Sequence, residues 1–444
     1  MNARLRYASY HLHILSALAH VHRAKPTLRD QIALVQALDS ALDLLESEPT
    51  FQHLAVADGC AVLEDYLRLR PEQLERLESA VQRGAVWINP FYVLPKFFLH
   101  TPEAIIRNLL RGTRSAESLG GRISVVLCLG AEFLPAWLPQ ILRGFGLQAM
   151  LTDWQAAHPL EQLWQGDDGS QVLLAAAHGW LAPDQAIESV CQRVAPYCHS
   201  GHLMLPFRLS VPLRANTWRA WFASLQQQRP IDILMHSTPE TYIRAVRPRA
   251  DASVWRAGDE APAEQAFDAF TALERFLTQT LEPLIAFLAL QGCPAMLRQP
   301  QRLVDQLWQP LFDWQNEPLE DAEQALRAHL GVLTSESEAL AQQGGIDPNA
   351  SPLSAHLVGA DDARFELTAC KLPADPTRDG LVVRGRLDAP DPAWIVLTPF
   401  RRFADCQVVS LAEVPTGGHL AVEADGAFRF RAEPGYLYTF WLHD

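Results

Sequence analysis

Cys198-His-Ser-Gly-His202 brings a thiol and an imidazole four positions apart, and both are ligands for a zinc-like cation. A closed site needs a second ligand pair. None lies nearby in the sequence, so the stretch reads as a loop. His20-Val-His22 offers two more imidazoles at a loop or helix start and reads as solvent-facing. The seven cysteines (Cys60, Cys128, Cys191, Cys198, Cys293, Cys370, Cys406) are odd in number, scattered and mostly inside apolar runs. That pattern fits reduced core residues rather than a disulfide framework, and with it a cytoplasmic protein. These spacings by themselves build no cofactor site.

Bulk properties narrow the classes further. A chain of 444 residues with 48% hydrophobic content can bury sizeable cores in several domains. A net charge of -14 argues against nucleic-acid binding, which requires a basic face. The start of the chain is broken by His11, His13, His20 and His22, which no signal-peptide core would carry, and no run of about 18 apolar residues occurs. Secretion and membrane association are not expected.

The elements that must position any chemistry come in three blocks. Residues 1–262 alternate β-like runs with amphipathic helices, the rhythm of a mostly parallel sheet wrapped by helices, which a distorted (β/α) barrel fits. Strands are expected at Leu5–Leu12, Phe51–Ala57, Val86–Ile88, Ile123–Leu129, Gln148–Thr152, Val172–Ala176, Leu203–Leu205 and Ile231–Met235. Thr27 with Asp30 three residues on makes a capping-box start, and Ile32, Val35, Leu38, Leu42 and Leu45 repeat at helical spacing, so a helix is expected over Leu28–Glu46. Residues 263–343 read as a three-helix bundle. Residues 344–352 have linker chemistry, and residues 353–444 alternate like a small antiparallel β-sandwich.

Leu138-Pro-Gln-Ile-Leu-Arg-Gly-Phe-Gly146 resembles a signature of family 38 of the glycoside hydrolases, the α-mannosidases. Other blocks are similar to the same family in the same order: Asp58-Gly-Cys-Ala-Val-Leu-Glu-Asp-Tyr66, Phe91-Tyr-Val-Leu-Pro95, Glu103 with Ile106-Arg-Asn-Leu-Leu110, Leu281-Glu-Pro-Leu284 and Phe365-Glu-Leu-Thr-Ala-Cys-Lys371. The resemblance implies the barrel, bundle and terminal β-sandwich above. Family members carry a further large β-sandwich where only residues 344–352 stand here.

The resemblance also implies retaining glycoside hydrolysis with a zinc ion, and each part falls on a named position. The His-x-His-x-Asp block falls on His11-Leu-His13-Ile-Leu15, which puts Leu15 at the metal-binding Asp. The nucleophile, itself a ligand, falls on Gly130, and the last ligand on Glu317. Two lost carboxylates and one exchanged ligand imply no bound metal, because a structural zinc draws roughly 10–16 kcal/mol from its complete ligand set. Losing a nucleophile costs about 10⁶ in turnover, so no catalytic residue is assigned.

Residues matching family blocks near strand ends, and hence a candidate cleft, are His13, Asp58, Trp87, Tyr92, Lys96, Glu103, Arg107, Asn108 and His178. For Glu103, Arg107 and Asn108 a structural role competes. The expectation is a catalytically silent α-mannosidase-like protein that binds a glycan or a protein partner. One alternative is an active hydrolase with a rebuilt, metal-independent carboxylate pair drawn from Glu132, Asp153, Asp58 and Glu317, spaced about 5–5.5 Å for retention or about 6.5–9.5 Å for inversion. The other is a non-catalytic subunit of a larger complex, docked through the face left by the missing sandwich.

Overall fold

A computed structural model describes residues 9–18, 24–131, 133–153, 159–177, 180–181, 187–209, 212–249, 251–255, 268–291, 300–343 and 357–444. They fall into two units, one of Met1–Pro95, Arg111–Gly166 and Ser170–Gly258, the other of Lys96–Leu110, Asp167–Gly169 and Asp259–Asp444. The expected linker 344–352 and the boundary at 262 lie outside the described residues.

In chain order the first unit contains β1 (His11–Leu18), α1 (Leu28–Ser47), β2 (Leu54–Val56), α2 (Ala61–Leu69), α3 (Leu74–Gln82) and β3 (Val86–Ile88). Helix α4 (Pro102–Ser118) contributes its first half to the second unit and its second half to the first. Then follow β4 (Val125–Cys128), α5 (Leu138–Gly144), β5 (Ala149–Asp153), β6 (Glu161–Gln165), β7 (Gln171–Ala177), α6 (Ile187–Val194), β8 (His202–Leu209), α7 (Ala215–Gln228), β9 (Ile233–His236), α8 (Pro239–Val246) and β10 (Asp251–Trp255).

The strands make two sheets. One runs β3-β2-β1-β8, all parallel, with β9 also parallel to β1 over its first four residues; the other runs β10-β6-β7-β5-β4. In the second sheet β4, β5 and β7 are parallel and β6 is antiparallel to β7. Side chains one apart point to opposite faces. One face of both sheets therefore feeds a common core: Leu15 and Ala17, Ala55 and Ala57, Trp87, Val125, Leu127 and Leu129, Ala149 and Leu151, Leu173, Ala175 and Ala177, and Met204.

Among the described residues no continuous ladder closes these sheets into the expected barrel. One seam is crossed by Asn89, whose side-chain amide donates to the carbonyls of Ala57 and Leu127, each at 2.6 Å. The other is crossed by a single parallel bridge between Leu181 and Phe207. Of the strand expected over Leu5–Leu12, residues 5–8 lie outside the described residues, and the described strand runs His11–Leu18. Histidines that read as interruptions are tolerated inside it because His13 is hydrogen-bonded on both ring nitrogens. Strands β6 and β10, absent from the sequence reading, complete the second sheet.

In the second unit α9 (Asp268–Phe276) leads through a π-helical segment, Leu277–Leu281, into α10 (Glu282–Leu290). Pro283 has no N–H to give the preceding turn, and the widened turn sits immediately before it. Helices α11 (Pro300–Trp314) and α12 (Leu319–Gln343) follow. The terminal strands are β11 (Val358–Ala360), β12 (Phe365–Lys371), β13 (Leu381–Leu387), β14 (Ala393–Pro399), β15 (Asp405–Val409), β16 (Pro415–Leu420), β17 (Phe428–Ala432) and β18 (Leu437–His443). They form antiparallel sheets β11-β14-β17 and β12-β13-β18-β15-β16 around a shared core of Leu381, Val383, Ile395, Phe428 and Phe440, against which Ala286 of α10 also packs.

A buried chain of alternating charges runs through this unit. Glu282 accepts from Arg107 at 2.5 Å and from the Trp308 indole at 2.8 Å. Arg107 lies 3.0 Å from Glu103, and both Glu103 oxygens accept from Arg384, at 2.8 and 2.9 Å. Lys371 ends the chain on Glu413 at 2.6 Å. Burial disfavours the Glu413 carboxylate, but Lys371, Arg384 and the Ala374 N–H together outweigh it and hold the carboxyl below its usual range.

Candidate functional site at the strand ends of the first unit

In open α/β folds ligands collect beyond the carboxyl ends of parallel strands. Continuing the inward rows of the first unit by two residues identifies what sits there. On β5 the row Ala149, Leu151 continues to Asp153; on β8 the row Met204, Pro206 continues to Arg208; on β1 the last inward residue is Ala17, paired with Arg208. Asp58 follows β2, and Gly130 follows β4.

Asp58 is set by its neighbours in the loop. Gly59 has φ +104°, and a Cβ there would lie 2.5 Å from the carbonyl oxygens of Phe91 and Tyr92. Only glycine permits that approach, which lets the Cys60 and Ala61 N–H groups at the start of α2 donate to those two carbonyls. Burial raises the Asp58 pKa to about 7, with the Arg208 charge pulling the other way. Asp153, half-buried, is likewise raised by burial, and the Gly130 N–H that it accepts works against the shift. Arg208 is exposed, with its guanidinium 4.7 Å from the Trp180 ring centroid. Trp180 is half-buried against the core, and its neighbour Leu181 donates to the Pro206 carbonyl at 2.6 Å.

Gly130 is exposed, with φ +86°, and a Cβ built on it would meet nothing within 4 Å among the described residues. The position therefore faces open space without a side chain. The backbone conformation suits glycine.

His13 and Leu15 sit deeper than a position at the strand ends. Leu15 is 1% exposed and belongs to the core. His13 is 1% exposed in the N-terminal half of β1, with Nδ1 2.9 Å from the Ser237 hydroxyl and Nε2 2.9 Å from His202 Nδ1. Burial and the neighbouring histidines lower its pKa to about 3, so it stays neutral. Below it Glu161 accepts from Ser200 at 2.8 Å and Tyr242 at 3.2 Å, and burial lifts its pKa to about 7. This layer is a satisfied interior network.

The remaining candidates are dispersed. Trp87 is buried on β3 and donates to Glu240 at 2.5 Å. Tyr92 is fully buried; its hydroxyl donates to Glu64 at 2.8 Å and accepts from Arg111 at 2.6 Å. Lys96, Glu103, Arg107, Asn108 and Glu317 all belong to the second unit. Lys96 is exposed, Asn108 is fully buried, and Glu103 and Arg107 are held in the charge chain. Glu132, His178, His20 and His22 lie outside the described residues. Cys198 precedes β8 in a turn, whereas His202 is the first residue of that strand rather than part of a loop.

Arg208, Trp180, Asn89 and Glu161 carry the geometry yet were not singled out from sequence. The signal for Arg208 was the period-two pattern of β8, whose expected end at Leu205 fell four residues short. The zinc ion that the resemblance implies does not fit these residues. Leu15 and Gly130 offer no ligand atom, and His13 is engaged on both nitrogens. Among the described residues no group of three or more His, Cys, Asp or Glu side chains could hold a metal ion. No described helix is long and apolar enough to cross a membrane.

The model of the glycosyl hydrolases family 38 N-terminal domain matches residues 11–203, from the first residue of β1 into β8. A putative mannosylglycerate hydrolase of Halalkalibacterium halodurans is 29% identical over 166 residues, which are 34% of this chain and 18% of that protein. An alpha-mannosidase from Enterococcus faecalis V583 matches in structure with a TM-score of 0.62 at 18% identity, covering 98% of this chain and 55% of that one. A second family 38 protein from Enterococcus faecalis gives a TM-score of 0.57 at 18% identity, covering 98% and 52%. At that identity the likeness is one of fold, and this chain spans about half the length of those two structures. Residues 11–203 are similar in sequence to the N-terminal domain of the family 38 glycosyl hydrolases, and the first unit has the α/β fold of that domain.

Proposed function

We propose that this chain is a catalytically silent glycosidase relative that holds a sugar at the strand ends of its first unit. The observation that carries the reading is Gly130, the position where the family resemblance puts the nucleophile: it faces open space and has no side chain. Removing a nucleophile costs about 10⁶ in turnover, equivalent to about 8 kcal/mol of barrier. Asp58, Asp153, Trp180 and Arg208 still supply what sugar recognition uses, namely carboxylates that accept from hydroxyls, an indole face and a cation.

One observation favours a second reading. Asp58, with its pKa raised to about 7, would be protonated over part of the neutral range, as a general acid must be. In that reading Asp58 and Asp153 form a metal-independent pair. Calorimetric titration with methyl α-mannoside, together with release of nitrophenol from aryl α-mannosides with and without added zinc, separates the two. Saturable binding without turnover is expected. Turnover abolished by Asp153→Asn would replace the silent reading with the second one.

A further inference from the structure

Arg208 differs from two other arginines of the first unit, Arg76 and Arg229. Arg76 pairs with Asp43 and Glu46, and Arg229 with Asp232 and Glu188, so their charges are spent within the protein. Arg208 has no carboxylate within ion-pair distance among the described residues. It lies over the Trp180 ring at 4.7 Å and exerts a longer-range electrostatic influence on Asp58.

The fold nevertheless holds this cation in place. Its backbone is fixed in the ladder opposite Ala17, and its ring partner is tied to β8 by the Leu181 bond to Pro206. Stacking on an indole pre-orients a planar guanidinium without using up its N–H donors. An exposed arginine held this way presents a fork that matches a carboxylate, which would accept two parallel hydrogen bonds.

We infer that the strand-end site selects an anionic sugar, with Arg208 receiving the ligand's carboxylate while the indole of Trp180 forms the lip beside it. The inference rests on the sugar-binding reading above and deepens it. Asp58 and Asp153 then serve the ligand's hydroxyls, since a carboxyl group offers no cationic fork to a carboxylate, which leaves Arg208 as its anchor.

The full-length chain is titrated in parallel with methyl α-mannoside and with its uronate, which differ in the carboxylate, following tryptophan fluorescence at two salt concentrations. The uronate is expected to bind at least about tenfold more tightly, as a charge-assisted bidentate contact provides, with the preference shrinking at high salt. In Arg208→Met the ratio of the two affinities should fall towards one. Arg208→Lys should keep part of the preference, because it retains the charge and loses the fork. Circular-dichroism melts confirm that both variants fold. Equal binding of the two sugars by the wild type overturns this inference and leaves the sugar-binding reading standing. Arg208→Met weakening both sugars equally also overturns it, because the arginine would then act by balancing Asp58. Binding of neither sugar overturns the sugar-binding reading and this inference with it.

Discussion

The charge chain of the second unit and the strand ends of the first draw on the same residue types and use them in opposite ways. From Glu282 through Arg107, Glu103 and Arg384 each charge meets a partner at 3.0 Å or less, and every member is almost completely buried. At the strand ends Asp58 and Asp153 are raised by burial, while Arg208 lies exposed and unpaired among the described residues. Charges that are neutralised inside the protein hold it together. Charges left with capacity are the ones a ligand can use. Glu103 and Arg107 match the family's blocks as well as Asp58 does, so sequence similarity alone does not separate these roles.

The sharpest test of the structural half is Arg384→Met. It strands Glu103 in a site that is 4% exposed, and removing one partner of a buried pair costs about 3–5 kcal/mol. Urea unfolding should move to a lower midpoint, with the unfolding free energy reduced by about that amount. The double variant Arg384→Met with Glu103→Leu should recover most of the loss, since the penalty comes from the abandoned charge rather than from the missing attraction. No recovery would mean that Arg384 contributes mainly through its bonds to Thr439 and the Leu411 carbonyl.

The other half breaks differently. With its folded pKa raised from 3.8 to about 7, Asp58 contributes stability that is complete below pH 4 and lost as pH rises through 7, because the folded state binds the extra proton in that window. At 1.36 kcal/mol per unit the full shift is worth about 4 kcal/mol, and partial exposure of the residue reduces this to about 2. Asp58→Asn should therefore be the more stable protein at pH 8 and lose that advantage near pH 4, as read from melts across the range. A carboxylate held against its own stability is what a binding site requires and a structural pair does not. If Asp58→Asn has the wild-type pH profile, the contrast between the two regions fails at this residue.

What could be read from the sequence was whatever is local. Val86–Ile88 coincides with its strand, and α1 ends one residue past its expected stop, because alternation and capping are written in neighbouring residues. What could not be read depends on register between distant segments. The inward row of β1 ends at Ala17 rather than at His13 or Leu15, and only the pairing of Ala17 with Arg208 reveals which layer each residue occupies. A shift of two residues along a strand keeps the face and changes the depth, and no local pattern records depth.

The smallest effect tests this from the legible side. Thr27 caps α1 by accepting from the Asp30 N–H at 3.2 Å, while Asp30 accepts from the Thr27 N–H at 2.9 Å, and Thr27 is exposed. Thr27→Ala should cost about 1 kcal/mol, the usual worth of an N-cap. That is several times less than Arg384→Met, although the cap was evident from four consecutive residues and the Glu103 pairing, 281 positions away, was not. A loss near 3 kcal/mol for Thr27→Ala would show that local signals carry as much of this fold as its long-range pairs do. The expected ordering puts the heavier stabilisation in contacts that the folded chain assembles from afar.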